Sequence, residues 1–216
     1  MIANLYLAYS NCADIAKHID IDGAAIIGFD ADVLSRCTTI AEAKKSLAII
    51  PRKIVAVDSS SIGLCLSTTK NSLAGCMPKS VDSARRLAKI GGVFSTVLTL
   101  DNRKAVDESQ VNFMSHSPTP KYIEVHLYHF VSAIASKHYD NSLDLEKEFY
   151  RLGNVIERAL KLDVGVIPVG ASPSIDKTLL AKHIDVILFA MGFSKRERRL
   201  MLEVYPADLV TRWLRL

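Results

Sequence analysis

The chain has 216 residues, is 49% hydrophobic and has a mean hydropathy of +0.18, enough apolar material for one large core, so its length favours one domain over two. Its formal net charge of +4, with a pI near 8.8, permits a nucleic-acid partner without requiring one. Cys12, Cys37, Cys65 and Cys76 form no C-x-x-C pair, which argues against a zinc or thioredoxin-type site and leaves reduced cytosolic thiols as the expectation.

The N-terminal segment lacks a basic region and meets Asn4 and Asn11 within a short apolar run, so LYLAY (5–9) reads as a first strand and not a signal peptide. Further strand-like runs follow at AAIIGF (24–29), KIVAV (53–57), GLCLST (63–68), VFSTVLTL (93–100), YIEVHL (122–127) and VGVIPV (164–169). Helix-like stretches separate most of them: AEAKKSLA (41–48), SVDSARRLAKIGG (80–92) and LDLEKEFYRLGNVIERALKL (143–162). In the second of these, Ser80 or Asp82 can cap, Leu87 and Ile90 share a face, and Gly91 and Gly92 stop the helix. TLLAKHIDVILFAMG (178–192) reads as a helix ending at Gly192, followed by a capped basic helix and ADLVTRWLRL. The apolar run VILFAMGF is too short to span a bilayer, so a cytoplasmic protein without membrane association is expected.

About seven strands alternating with helices predict an α/β fold of parallel strands. A small TIM-like (β/α) barrel is favoured over an open Rossmann-like sheet, because no G-x-G-x-x-G follows the first strand. No linker or repeat divides the chain, so residues 1–216 are expected to form a single barrel domain with extra C-terminal helices.

Asp30, Asp58 and Asp101 each end a strand-like segment, and Glu124 and His126 alternate onto one side of YIEVHL. Strand ends are where barrel active sites gather, and these are the residue types of a carboxylate and imidazole metal site. Aspartate after a strand is also a preferred N-cap, which is the expected role of all three. His126 and His129 lack an acidic cluster nearby in sequence, LYLAYSN has no H-x-H, and no G-x-S-x-G elbow or P-loop occurs. No catalytic residue, metal ligand or cofactor is therefore assigned. GASPS (170–174) reads equally as a phosphate cradle or as a turn.

The sharper signal lies in MGFSKRERRLMLEVYP (191–206). Ser194 and Glu197 form a capping box, placing Lys195, Arg196, Arg198 and Arg199 in the first turn and a half of a helix. That end of a helix already carries roughly half a positive charge, so each cation costs on the order of 0.3–1 kcal/mol unless an anion sits nearby. At about 100° per residue, Leu200, Met201 and Val204 face inward, and Leu202 falls among the outward cations. From Lys177 to Leu216 there are eight Lys/Arg against four Asp/Glu, a net +4 equal to that of the whole chain. Leu202 and Trp213 are expected to be exposed for protein contact. Arg85, Arg86 and Lys89 form a second basic group, and Arg103 and Lys104 a third. Arginine forks suit phosphate, and without interleaved aromatics recognition would be of backbone and shape.

The order of strand VIPVGAS, helix ending FAMGFS, capped helix, YP and final short helix resembles the end of the RNase P protein component 3 family of archaea and eukaryotes. GGVFSTVLTLDNRK (91–104), after the basic helix SARRLAK, is similar to the same family's central strand and Asn-Arg-Lys turn. The resemblance covers the latter half of the chain; before residue 80 it is one of strand spacing. The chain departs in shortening a family loop to SPSIDK, where Lys177 stands in for an arginine, and in its basic helix start.

The resemblance implies a TIM-like barrel that is a protein subunit of ribonuclease P, the ribonucleoprotein that removes 5′ leaders from precursor tRNA, with catalysis by the RNA and an inactive isolated protein. It implies partners in the RNase P RNA with precursor tRNA and in a small ferredoxin-like protein subunit, two such pairs forming a heterotetramer. Arg86, Arg103 and Arg199 match basic family positions; with Lys104, Lys177, Lys195, Arg196 and Arg198 they are the expected RNA-binding set. The alternative drawn from the strand ends is a stand-alone metal-dependent barrel hydrolase acting on phosphate esters.

Overall fold

A computed structural model describes residues 2–37, 47–135 and 145–216. Seven parallel strands, β1 (Ala3–Leu7), β2 (Ile26–Asp30), β3 (Ala48–Val57), β4 (Leu73–Pro78), β5 (Ser95–Leu98), β6 (Tyr122–His126) and β7 (Gly165–Val169), pair in sequence order. The barrel is nearly closed, its first and last strands joined at their C-terminal ends. Ala171 N donates to Tyr6 O at 2.8 Å and Ala8 N to Ser172 O at 3.0 Å. The buried Asn4 amide completes the seam, accepting from Gly170 N at 2.9 Å and donating to Leu179 O at 3.1 Å. The expected α/β barrel is what forms.

Helices α1 (Cys12–Ile21), α2 (Ala31–Leu34), α3 (Gly63–Thr68), α4 (Val81–Lys89), α5 (Glu108–Ser115), α6 (Leu127–Ala135) and α7 (Leu145–Lys161) alternate with the strands, and α8 (Ala181–Ala190), α9 (Lys195–Arg199) and α10 (Tyr205–Trp213) follow β7. Ser80 caps α4 through a capping box with Ser83, and Gly92 follows it with φ +143°. Gly192 ends α8 with φ +92°, the left-handed region that glycine enters without Cβ strain.

Two expected elements differ. GLCLST (63–68) is helix α3, and the neighbouring strand is LAGCMP (73–78). A six-residue apolar run without clear alternation does not separate strand from buried helix. β3 also begins at Ala48 instead of Lys53, through Pro51 and Arg52, residues that break an apolar strand signal. The helix expected at 41–48 lies outside the described residues except for its end.

Alternation sorts each strand into a lumen face and an outer face. Ile26, Ile50, Leu73, Tyr122 and Ile167 fill one end of the lumen, where Leu209 and Val210 of α10 pack against them. The C-terminal helix thus plugs the barrel. Tyr122 Oη donates to Asp208, and Trp213 Nε1 donates to Thr69 O at 2.9 Å, fixing α10 to β6 and to the approach to β4. An irregularity in the β1–β2 register between Asn4 and Leu7 lets Leu5 and Tyr6 both join the lumen cluster, while Leu7 and Tyr9 pack outside.

The four cysteines form two disulfides, Cys12–Cys37 and Cys65–Cys76, with Cα–Cα distances of 5.5 and 5.9 Å. This corrects the expectation of reduced thiols. Spacing in sequence hid the pairing: α1 and the end of α2 bring Cys12 to Cys37, and α3 packs Cys65 on β4. Among the described residues, no helix is long and apolar enough to cross a membrane.

Candidate nucleic-acid interface

The lumen holds a charged pair where a barrel enzyme would keep its chemistry. Arg52 and Glu124, both 0% exposed, form a direct ion pair. Room for the arginine comes from Gly28 and Gly75: a Cβ on Gly28 would lie 1.9 Å from Leu5 O and 2.7 Å from Arg52 Cγ, and one on Gly75 would lie 3.3 Å from Arg52 Nη2. Arg52 Nη1 donates to Leu73 O at 2.8 Å, Ser95 Oγ to Glu124 Oε2 at 2.6 Å, and His126 Nε2 lies 2.9 Å from Glu124 Oε1. Burial pushes the Glu124 carboxyl up, but Arg52 and the His126 and Ser95 hydrogen bonds outweigh it and leave the carboxyl well below its usual range. Glu124 and His126 do share a face, as their spacing predicts, and that face is committed to Arg52. Tyr6 stacks on His126 at 5.2 Å, and His129 lies 6.0 Å beyond. Burial, with Asp30 and Glu124 adding to it, pushes the Tyr6 phenol up to about 12. Among the described residues, no group of three or more His, Cys, Asp and Glu could hold a metal ion.

The strand-end aspartates divide. Asp30 caps α2, accepting from Asp32 N at 2.9 Å and Val33 N at 3.3 Å. Asp58 orders the exposed turn before α3: hydrogen bonds from the Ser60 and Ser61 hydroxyls and amides hold its carboxyl down to about 2. Asp101 is not a cap. Asn102 builds its turn, accepting from Thr99 N at 2.8 Å, and Asp107 caps α5 through Gln110 N. The first two GASPS amides are also spent: Gly170 N donates to Asn4 Oδ1 and Ala171 N to Tyr6 O. They leave no cradle for phosphate at 170–171.

Arg86, Arg103, Lys104 and Lys177 lie on segments that follow the C-terminal ends of β4, β5 and β7. Arg86, 58% exposed, reaches Ser59 O in the loop after β3 and pairs with Asp82 one turn back. Lys177 is exposed in a short turn at 175–177 that rests on α1. Arg103 and Lys104 line a cavity of about 450 Å³ between the loop after β5 and α7. Arg103 Nε donates to Glu148 Oε2 at 2.8 Å, and Arg151 Nη1 to Glu148 Oε1 at 2.8 Å. Phe130, Leu152 and Val155 form the apolar wall of that cavity.

The capping box of Ser194 and Glu197 forms as expected, with Ser194 N donating to Glu197 Oε2 at 2.7 Å. The four cations then part. Arg198 is structural: it donates to Asp185 at 2.7 Å and to Phe193 O at 2.8 Å, and lies 5.2 Å over the Phe189 ring. Arg199, 73% exposed, pairs with Glu203 at 3.3 Å. Lys195 and Arg196 are exposed. A π-helical stretch, Leu200–Val204, follows α9 and corrects the expected face. Its extra residue per turn turns Leu202 inward to 3% exposure and leaves Val204 45% exposed. Leu202 and the half-buried Trp213 therefore serve the fold and are not exposed contact groups. Of the eight, Arg198 is spent on the fold, while Arg86, Lys104, Lys177, Lys195, Arg196 and Arg199 stay exposed.

The chain is similar to a chain of the cryo-EM structure of archaeal ribonuclease P with mature tRNA, with a TM-score of 0.69 at 11% sequence identity, over 98% of this chain and 89% of that one. The two share a fold. No family model matches the sequence. No curated protein matches it.

Sequence reasoning missed Arg52, Glu148 and Arg151. Arg52 had no signal short of knowing that two lumen glycines open a space beside it. Glu148 and Arg151 were visible only as an i,i+3 charge pair on a long helix, a pattern that usually marks a solvated face.

Proposed function

We propose that the chain is a protein subunit of ribonuclease P, the ribonucleoprotein that removes 5′ leaders from precursor tRNA, and that it binds and supports the catalytic RNA without performing chemistry itself. The observation that carries this reading is the likeness, over 98% of the chain, to a chain of archaeal ribonuclease P. Two local features support it. The exposed Arg86, Lys104 and Lys177 and the partly exposed Arg103 lie on segments that follow the C-terminal ends of strands, the edge where barrel proteins bind their ligands. Within the lumen, Glu124 is bonded both to His126 and to Arg52, a cation in the place where a metal hydrolase needs free ligands.

The proposed partners are the RNase P RNA, precursor tRNA and a small ferredoxin-like protein subunit, two such pairs forming a heterotetramer; the proposed setting is the archaeal cytoplasm. Phosphate contacts by arginine and lysine supply affinity without base specificity. Reconstitution tests the reading. RNase P RNA is combined with precursor tRNA, with and without this chain and the small subunit, and leader release is followed. Faster cleavage with the protein, and none by the protein alone, is expected. Leader release by the protein alone, abolished by EDTA and by His126→Ala, would overturn it.

A further inference from the structure

Glu148 lies in the first turn of α7, and its side chain is 8% exposed between two guanidiniums brought from different elements. Its two oxygens are divided between them: Oε2 accepts from Arg103 Nε and Oε1 from Arg151 Nη1, each at 2.8 Å. Arg103 is fixed a second time by the bond from its Nη1 to Leu100 O at 2.5 Å. Nη2 of Arg103, and Nε and Nη2 of Arg151, have no acceptor among the described residues. Arg151 is 53% exposed and Arg103 22%. Lys104 stands exposed on the same cavity, whose apolar wall is Phe130, Leu152 and Val155. Asp107, also on the cavity, is engaged by Arg85 Nη2 at 3.0 Å and by Gln110 N at 2.8 Å.

We propose that Arg103 and Arg151 form one phosphodiester-binding fork oriented by Glu148, with the apolar wall receiving the adjoining ribose or base. Glu148 is then a positioning residue, and Arg151 is an RNA contact absent from the set chosen by sequence. The proposal rests on the ribonucleoprotein reading above. Its physical content is a reversal of sign. If Glu148 merely dilutes the positive field, removing its charge tightens RNA binding. If it holds two forks in register, removing its charge releases them and weakens binding, because a loose arginine must be ordered again by each phosphate.

The test is a salt titration of labelled RNase P RNA binding to the full chain, for wild type, Arg151→Ala, Glu148→Gln and the control Glu157→Gln, which removes an exposed carboxylate elsewhere on α7. Thermal melts verify that each variant is folded. Arg151→Ala is expected to lower the slope of log affinity against log salt by about one. Glu148→Gln is expected to bind about tenfold more weakly, the size of one lost charge-assisted hydrogen bond, whereas Glu157→Gln binds as wild type or tighter. Folded Glu148→Gln that binds as tightly as wild type overturns the positioning role, and an unchanged slope in Arg151→Ala overturns the contact. Should Glu148→Gln not fold, Arg151→Gln carries the test by the same slope. Wild type that binds no RNA would instead sink the ribonucleoprotein reading itself.

Discussion

At the scale of single residues, a buried ion pair and a buried lysine shape the barrel. Removing one partner of a buried ion pair strands the other, so Glu124→Ala is expected to lose about 3–5 kcal/mol in urea unfolding. Because Arg52 and the hydrogen bonds around it hold the folded Glu124 carboxyl below its ordinary 4.5, the unfolded chain takes up this proton first on acidification. The stabilisation is complete above pH 4.5 and is lost as pH falls through the lower folded value. A smaller acid dependence in Glu124→Ala than in wild type would confirm the source. Lys121 gives the opposite case. It is 3% exposed over the end of α4, where Nζ donates to Ile90 O and lies 4.9 Å from the Phe94 ring, and burial pushes its amine down to about 8. Between pH 8 and the ordinary 10.5, the unfolded chain holds the proton that the folded chain has lost, so this group makes stability rise with pH. The urea midpoint of wild type relative to Lys121→Met is expected to increase from pH 7.5 to pH 10; a flat difference would contradict the assignment. The burial of Arg52 and Lys121 is not legible in sequence, since it depends on neighbours more than twenty residues away.

At the scale of elements, the basic helix shows what periodicity can and cannot convey. Ser194 and Glu197 announced its start, and the structure makes both capping bonds. The inward face was misread beyond Leu200 because a constant turn of about 100° per residue was assumed, and the π-helical stretch breaks it. That stretch also delivers Leu209 and Val210 to the barrel lumen. The division of labour among the cations follows from their partners. Arg198→Ala, which strips a bond to Asp185 and one to Phe193 O, is expected to lower stability by about 1 kcal/mol after allowance for solvent around Asp185. Arg199→Ala should alter stability by less than about 0.5 kcal/mol. If α9 contacts RNA, as its cations lead the sequence to expect, Arg199→Ala also reduces the salt slope of binding by about one. An unchanged slope in folded Arg199→Ala would mean that α9 is a solvated face and that the RNA lies along the strand-end loops alone.

At the scale of the whole molecule, the barrel was legible because seven strands alternate with helices whose caps and glycine stops are written in the chain, as Ser80, Gly92 and Gly192 illustrate. What stayed hidden was long-range: the seam through Asn4, the plug by α10 and the two cysteine pairs. Closing loops of 25 and 11 residues by disulfides constrains the unfolded chain. Full reduction is therefore expected to cost about 2–4 kcal/mol per bridge in urea, with no free thiol alkylated in the native protein before reductant is added. Four alkylated cysteines in that sample would contradict the pairing. Whether this barrel works as part of ribonuclease P, as proposed, is decided by purifying the tagged chain from its source cells and sequencing the RNA that stays bound at moderate salt. Strong enrichment of the ribonuclease P RNA, with precursor tRNA beside it, is expected; recovery of the folded protein without that RNA would rule the subunit role out.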